Sequence, residues 1–298
     1  MIASTLNCND FKKSDFVLVS ANYDKTSSFG KGADKGPRAI IECLDQQIEF
    51  FNRRTGMSPA KTKKIAHLDL GNLNKLSPEK MVFKIKSVYS DVLKAGTFPI
   101  LLGGEHSVSN GPFQTFASRE NPKKITILQI DAHFDLRNND SDYNNRPFGK
   151  YAHSAVMRRA VELGFKTVHV GIRAYSKEEY EFAKARRLKF FEWGLGPVPP
   201  VGKIVNAIPT ERVYLTIDAD GIDPAHMPAT GTPVQGGLEW RYFAELLEAV
   251  FKKRTVIGAD LVEVAPKPND SLTEYGAAQI CYDMISFVCA RRSKLVEV

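Results

Sequence analysis

Eight short apolar, β-branched runs separated by helix-length segments constrain this chain more than any other feature. They fall at 16–21, 64–70, 98–102, 124–130, 167–172, 189–191, 212–217 and 255–264. Several, such as Ile-Thr-Ile-Leu-Gln-Ile at 125–130, are almost continuously apolar. Strands buried on both faces read this way, as in a parallel sheet. Helices are predicted at 37–53, 78–95, 151–164, 176–186, 239–252 and 273–292. The second has clear punctuation: Ser77 can cap it, Pro78 opens it and Gly96 follows it. Its residues Met81, Val82, Ile85, Val88, Tyr89 and Val92 recur at three and four, giving one buried stripe. The alternation implies an α/β fold, a mostly parallel sheet with helices on both faces.

The length of 298 residues allows one large domain or two. No Ser/Pro/Gly-rich linker divides the chain, so a single domain over 1–298 is expected. The loosest stretches are 137–150, rich in Asn and Asp, and 194–209, rich in Gly and Pro. The first lies between chemically suggestive segments and is expected to be a functional loop; the second reads as a surface crossing.

Composition enters mainly by exclusion. With 43% hydrophobic and 25% charged residues, a disordered chain, a collagen and a coiled coil are ruled out. The net charge of +7 permits a polyanionic partner. Lys and Arg are dispersed, however, and the clusters at 61–64 and 252–254 read as solvated faces. Neither nucleic acid nor a membrane is therefore expected as a partner. No apolar run approaches 18 residues, and no basic segment leads into an apolar one at the N-terminus. Cys8, Cys43, Cys281 and Cys289 show no CxxC spacing, so a reduced, cytoplasmic location is expected.

Chemistry collects just after four of the strand candidates. Leu-Leu-Gly-Gly-Glu-His at 101–106, Asp131-Ala-His133-Phe-Asp135, Asp218-Ala-Asp220-Gly and Glu263 each lie at a strand's carboxyl end. Parallel strands bring those ends to one edge, where ligands of open α/β sheets bind. Asp131, His133 and Asp135 are spaced i, i+2, i+4, which would keep them on one side of an extended chain. With His106, Asp218 and Asp220 they offer four carboxylates and two imidazoles. Two divalent ions would balance four aspartates, and hard oxygen ligands with a few imidazoles favour manganese. A calcium loop fails: counted from Asp218, the sixth position is Asp223 and the twelfth is Ala229. Dinucleotide, P-loop, H-E-x-x-H and G-x-S-x-G patterns are absent. His67 and His169 lie within strands and read as core or edge residues, and His226 lies in a Pro-rich turn.

Taken together, these segments resemble the ureohydrolase family of arginase, agmatinase and related manganese guanidino hydrolases. The resemblance runs from Tyr23-Asp24-Lys25-Thr26-Ser27-Ser28-Phe29 and Lys35-Gly36-Pro37-Arg38 through Gly-Gly-Glu-His-Ser at 103–107, Asp-Ala-His-Phe-Asp at 131–135 and Ile-Asp-Ala-Asp-Gly-Ile-Asp-Pro at 217–224. It ends in Gly231-Thr232-Pro233 and Asp260-Leu-Val-Glu263-Val. It implies a three-layer arginase-like fold, usually a trimer or hexamer, and two Mn(II) ions per chain. In that pattern His106 and Asp135 hold one ion and His133 and Asp220 the other, with Asp131 and Asp218 serving both. Glu263 matches the family's guanidinium anchor, His153 its proton-transfer histidine, and Asp135 would help stabilise the tetrahedral intermediate. Arg137 and the sequence Tyr151-Ala-His153-Ser154 resemble the agmatinase-type branch rather than arginase. The implied reaction is hydrolysis of agmatine, a small cationic guanidino substrate, to putrescine and urea. The alternatives are another guanidino compound, such as arginine or a guanidino acid, or a non-catalytic metal-binding member.

Overall fold

The computed structural model describes residues 4–46 and 49–296. Its eight strands are β1 (Phe16–Asn22), β2 (Ile65–Asn72), β3 (Phe98–Gly103), β4 (Ile125–Ile130), β5 (Lys166–Ile172), β6 (Lys189–Glu192), β7 (Arg212–Asp218) and β8 (Thr255–Val262). They form one sheet in the order β2-β1-β3-β8-β7-β4-β5-β6, and every pairing is parallel. The helices are α1 (Gly36–Gln46), α2 (Pro59–Thr62), α3 (Pro78–Lys94), α4 (Asn110–Arg119), α5 (Val156–Glu162), α6 (Lys177–Ala185), α7 (Val201–Ala207), α8 (Trp240–Lys253) and α9 (Leu272–Val296).

Strand side chains alternate between two cores, one on each face of the sheet. Phe16 and Leu18 of β1 pack into the core that holds Ile40, Phe243, Leu247 and Ile285 from α1, α8 and α9. Val17 and Val19 pack into the other, with Met81, Ile85, Phe113 and Met157 from α3, α4 and α5. Burial on both faces is why the strands lack hydrophobic alternation in sequence. Among the described residues no helix is long and apolar enough to cross a membrane.

All eight expected strands are present, with local corrections. Strand β8 ends at Val262 rather than 264, because Glu263 takes a left-handed φ of 62° that no strand continues. The helix expected over 37–53 is observed only to Gln46; Asn52 instead bridges Met57 in a turn, and residues 47–48 lie outside the described residues. The helix expected over 151–164 begins as two 3-10 turns and becomes α-helical only at Val156. Three helices are additional to those expected: the single turn α2, α4 and α7. α4 was hidden by Gly111 and Pro112 in its first turn, and α7 lies inside the Gly/Pro-rich crossing.

Strands β3, β8, β7 and β4 are neighbours at the centre of the sheet. Their carboxyl ends carry Gly-Gly-Glu-His, Glu263, Asp218 with Asp220, and Asp131 to Asp135 respectively. The strand order itself therefore gathers the four segments.

Candidate functional site

The chain leaves β3 through Gly104, whose N–H donates to Ala21 O, while Glu105 N–H donates to Tyr23 O. An added Cβ at Gly104 would lie 1.8 Å from Tyr23 O, so only glycine lets the two backbones come this close. Glu105 then caps the next 3-10 turn by accepting from Ser107 N–H at 2.8 Å, and this turn carries His106 inward. Thr26 donates its hydroxyl to Glu105 at 2.7 Å and accepts from His153 N–H at 2.9 Å. Burial, followed by repulsion from Glu263, raises the Glu105 carboxyl to about 7, against the pull of His153.

Beyond β4 the Asp-x-His-x-Asp motif is not extended, which corrects the expectation of a single-sided strand. The strand stops at Ile130, and Asp135 adopts a φ of 53°. Its carbonyl accepts from Met157 and Arg158 N–H at the start of α5, which holds the turn. Four non-glycine residues among those described have a left-handed φ, and Asp135 and Glu263 are two of them. Strain of about 1–3 kcal/mol per residue persists only where the surroundings enforce it, commonly at functional sites.

These turns bring the sequence-expected residues together. His106 Nδ1 lies 3.1 Å from Asp131 Oδ2, 3.1 Å from Asp135 Oδ2 and 3.4 Å from Asp218 Oδ2. His133 Nδ1 lies 3.1 Å from Asp220 Oδ2 and 3.6 Å from Asp131 Oδ1. Two groups suited to a metal ion result: His106, Asp131 and Asp135, and Asp131, His133 and Asp220. Within each group the ligand atoms lie within 4.8 Å of one another, and Asp131 belongs to both. Despite its three close carboxylates, His106 Nδ1 is buried and makes no hydrogen bond among the described residues. Carboxylates converging on an unpaired imidazole nitrogen at angles unsuited to hydrogen bonds fit a shared cation, so the donor set fits a metal pair.

The tautomer of His106 follows from its outer contact. Thr216 donates its hydroxyl to Asp260 Oδ1 at 2.6 Å, so it accepts from His106 Nε2 at 2.8 Å. A neutral His106 therefore carries its proton on Nε2, leaving the Nδ1 lone pair free to ligate a metal.

Burial disfavours a charged His106, but the carboxylates of Asp131, Asp135 and Asp218 facing its Nδ1 together hold it well above the ordinary histidine range. His133 is likewise raised, with attraction from Asp220 overcoming burial. Asp131 is the converse: burial pushes its pKa up, but His106 and His133 hold it well below the usual carboxylate range. Burial and repulsion from Asp131 raise Asp135 to about 6. Burial, Asp220 and Asp131 raise Asp218.

Of the cluster, His133, Asp135, Asp218 and Asp220 line a cavity of about 520 Å³ together with Glu263, His153, Arg137 and Tyr143. Glu263 Oε1 accepts from His106 N–H at 2.8 Å and lies 3.6 Å from His153 Nδ1. The loop at 137–150 folds round buried Asp140, which accepts from Phe148 and Gly149 N–H. It presents Tyr143, bonded to Ser154 at 2.7 Å, and Arg137, ion-paired with Asp142 and Glu179, to the cavity. His67 bonds Ser20 and His226 bonds Glu239, in keeping with their ordinary reading.

Supporting residues escaped sequence reading. Thr216 and Gln129 each sit two positions before a site aspartate, polar interruptions of otherwise apolar strands, and that was their signal. Arg173 gave none. Its guanidinium donates to the carbonyls of Gly171, Asp220, Gly221 and Val234, tying the turn that carries Asp220 to the 232–236 loop.

Comparison with known proteins agrees with this geometry. The Arginase family model matches residues 14–286. The chain is 32% identical over 279 residues to an N(1)-aminopropylagmatine ureohydrolase of Synechocystis sp., covering 91% of this chain and 88% of the relative. It is 31% identical over 284 residues to an agmatinase of Bacillus anthracis, covering 92% of each. The agmatine ureohydrolase of Thermoplasma volcanium superposes with a TM-score of 0.85 at 29% identity, covering 99% of this chain and 97% of that one. The chain belongs to the arginase family and is a hydrolase of its agmatinase-type ureohydrolase branch.

Proposed function

We propose that the chain acts as one catalytic domain that binds two manganese ions and hydrolyses agmatine to putrescine and urea. The observation that carries this reading is the meeting of two metal-suited groups at Asp131, with their members His133, Asp135 and Asp220 lining one cavity beside Glu263 and His153. His106, Asp131 and Asp135 would hold one ion, and Asp131, His133 and Asp220 the other, with Asp218 beside both. When bound, a divalent pair lowers the pKa of water from about 15.7 to about 7 and supplies positive charge where the reaction develops negative charge.

The protein's own groups do the rest. Glu263 has one oxygen fixed by His106 N–H, so its carboxylate is preset to receive the planar guanidinium through paired charge-assisted bonds. That sets which face of the guanidinium carbon is presented for attack. His153 holds the proton that the departing amine needs. Burial lowers its pKa, but Glu263, Asp135 and Glu105 outweigh this and raise it, which favours the protonated ring. Its Nε2 has no hydrogen-bond partner among the described residues and remains available to donate. The left-handed turn at Asp135 presents that carboxylate to the cavity, where it would accept hydrogen bonds from the N–H and O–H groups of the tetrahedral intermediate.

A second substrate reading has its own support. The Synechocystis relative is an N(1)-aminopropylagmatine ureohydrolase, and a cavity of about 520 Å³ leaves room for a longer amine. Urea release by manganese-loaded protein from agmatine, N(1)-aminopropylagmatine, arginine and guanidino acids tests both readings. Preference for the first compound supports the proposal, and preference for the second reassigns the substrate. We further propose a homo-oligomer acting in the cytoplasm, testable by sedimentation and by fractionation.

A further inference from the structure

Behind Asp131 lies a buried polar relay that the proposed reaction does not use. Gln129 Nε2 donates to Asp131 Oδ2 at 2.7 Å and to His133 O at 3.2 Å. Its other end, Oε1, meets His169 Nδ1 at 2.5 Å, and His169 Nε2 meets Thr167 Oγ1 at 3.0 Å. Gln129 and His169 are both fully buried. They are also direct partners in the parallel register of β4 and β5, so the sheet itself sets their separation.

Only one assignment of donors satisfies this relay. Gln129 Oε1 can only accept, so His169 Nδ1 must donate. Burial keeps His169 neutral, with its pKa lowered to about 3, so the ring has one proton and its Nε2 accepts from the Thr167 hydroxyl. A reversed Gln129 amide would aim its oxygen at a carboxylate and a carbonyl, leaving three acceptors facing one another. His169 thereby locks the amide with its N–H groups toward Asp131. The edge of the Phe134 ring against His169, at 5.8 Å between centroids, limits ring rotation.

We propose that Gln129, locked by His169, is a positioning residue for Asp131, fixing the carboxylate common to both metal groups and so setting manganese affinity and turnover. The inference rests on the metal-pair reading above. Asp131 Oδ1 is already held by His133 N–H at 2.6 Å, so the Gln129 contact fixes the second oxygen and with it the carboxylate plane. Outer partners of metal ligands commonly contribute about 10- to 100-fold in metal affinity or activity.

The test compares wild type, Gln129→Met and His169→Phe by equilibrium dialysis against manganese, by kcat and KM for urea release at saturating manganese, and by melting of the metal-free protein. Gln129→Met is expected to weaken manganese binding about 10- to 100-fold. It should also lower kcat while KM stays near wild type, since the substrate anchor is untouched. His169→Phe, which keeps Gln129 but frees its amide to turn, should move both quantities in the same direction and carries the test if Gln129→Met does not fold. A merely structural role would lower the metal-free melting temperature and leave affinity and kcat unchanged, and that result overturns the proposal. A wild type that binds manganese yet releases no urea would sink the proposed function, while the dialysis comparison still decides the role of Gln129.

Discussion

The backbone N–H of His106 donates to the side-chain oxygen Oε1 of Glu263 at 2.8 Å, across 157 residues of sequence. This bond ties the turn after β3 to the end of β8, so the proposed metal ligand His106 and the proposed guanidinium anchor Glu263 are set by one contact. Glu263→Gln should keep the His106 bond through its carbonyl oxygen and turn its NH2 toward the substrate. Two sets of donors would then face each other. Manganese content is expected to stay at the wild-type level while kcat/KM falls about 100-fold or more, the scale for losing one preset electrostatic partner. Retained hydrolysis would place the anchor elsewhere.

His153→Asn should lower kcat by about 100- to 10,000-fold, the usual range for a general acid, with metal content preserved. The pH profile separates this from loss of packing. An acid must be protonated, so wild-type kcat should fall as pH rises through the raised His153 value. That alkaline limb should vanish in the variant.

Metal uptake should release protons. His106 and His133 are both raised above the ordinary histidine range, so near neutral pH the metal-free site holds protons that manganese must displace. Apparent affinity should therefore rise with pH until the raised imidazole values are passed, then level off. Calorimetric titration in two buffers of different ionisation enthalpy reads the release directly. Identical heats in both buffers would contradict it.

Gly104→Ala should damage fold and site together. Its methyl would overlap Tyr23 O, and the Gly104 carbonyl that receives Glu263 N–H at 2.8 Å would have to shift. A loss of about 1–3 kcal/mol is expected from overpacking, read as a lowered melting temperature with reduced urea release.

Much of this was legible from the chain because the strands are buried on both faces and so read as unbroken apolar runs. The motif residues His106, Asp131, His133, Asp135, Asp218 and Asp220 were legible because ionisable groups after such runs are costly without partners. What holds them was less so. The left-handed φ of Asp135 and Glu263 is imposed by tertiary hydrogen bonds and leaves no local propensity signal. Helix α4 was missed because Gly111 and Pro112 read as breakers, although both lie in its first turn, where a missing N–H costs little. Asp260, Glu105 and Arg173 act on the site through long-range contacts that sequence spacing does not encode.

The most direct measurement is manganese stoichiometry and urea release on the same preparation, for wild type and Asp131→Asn. Asp131 is the residue common to both metal groups. The account predicts about two manganese ions per wild-type chain with urea formed from agmatine or its aminopropyl derivative, and loss of both metal and urea in the variant. An Asp131→Asn protein that kept two ions and wild-type turnover would contradict it.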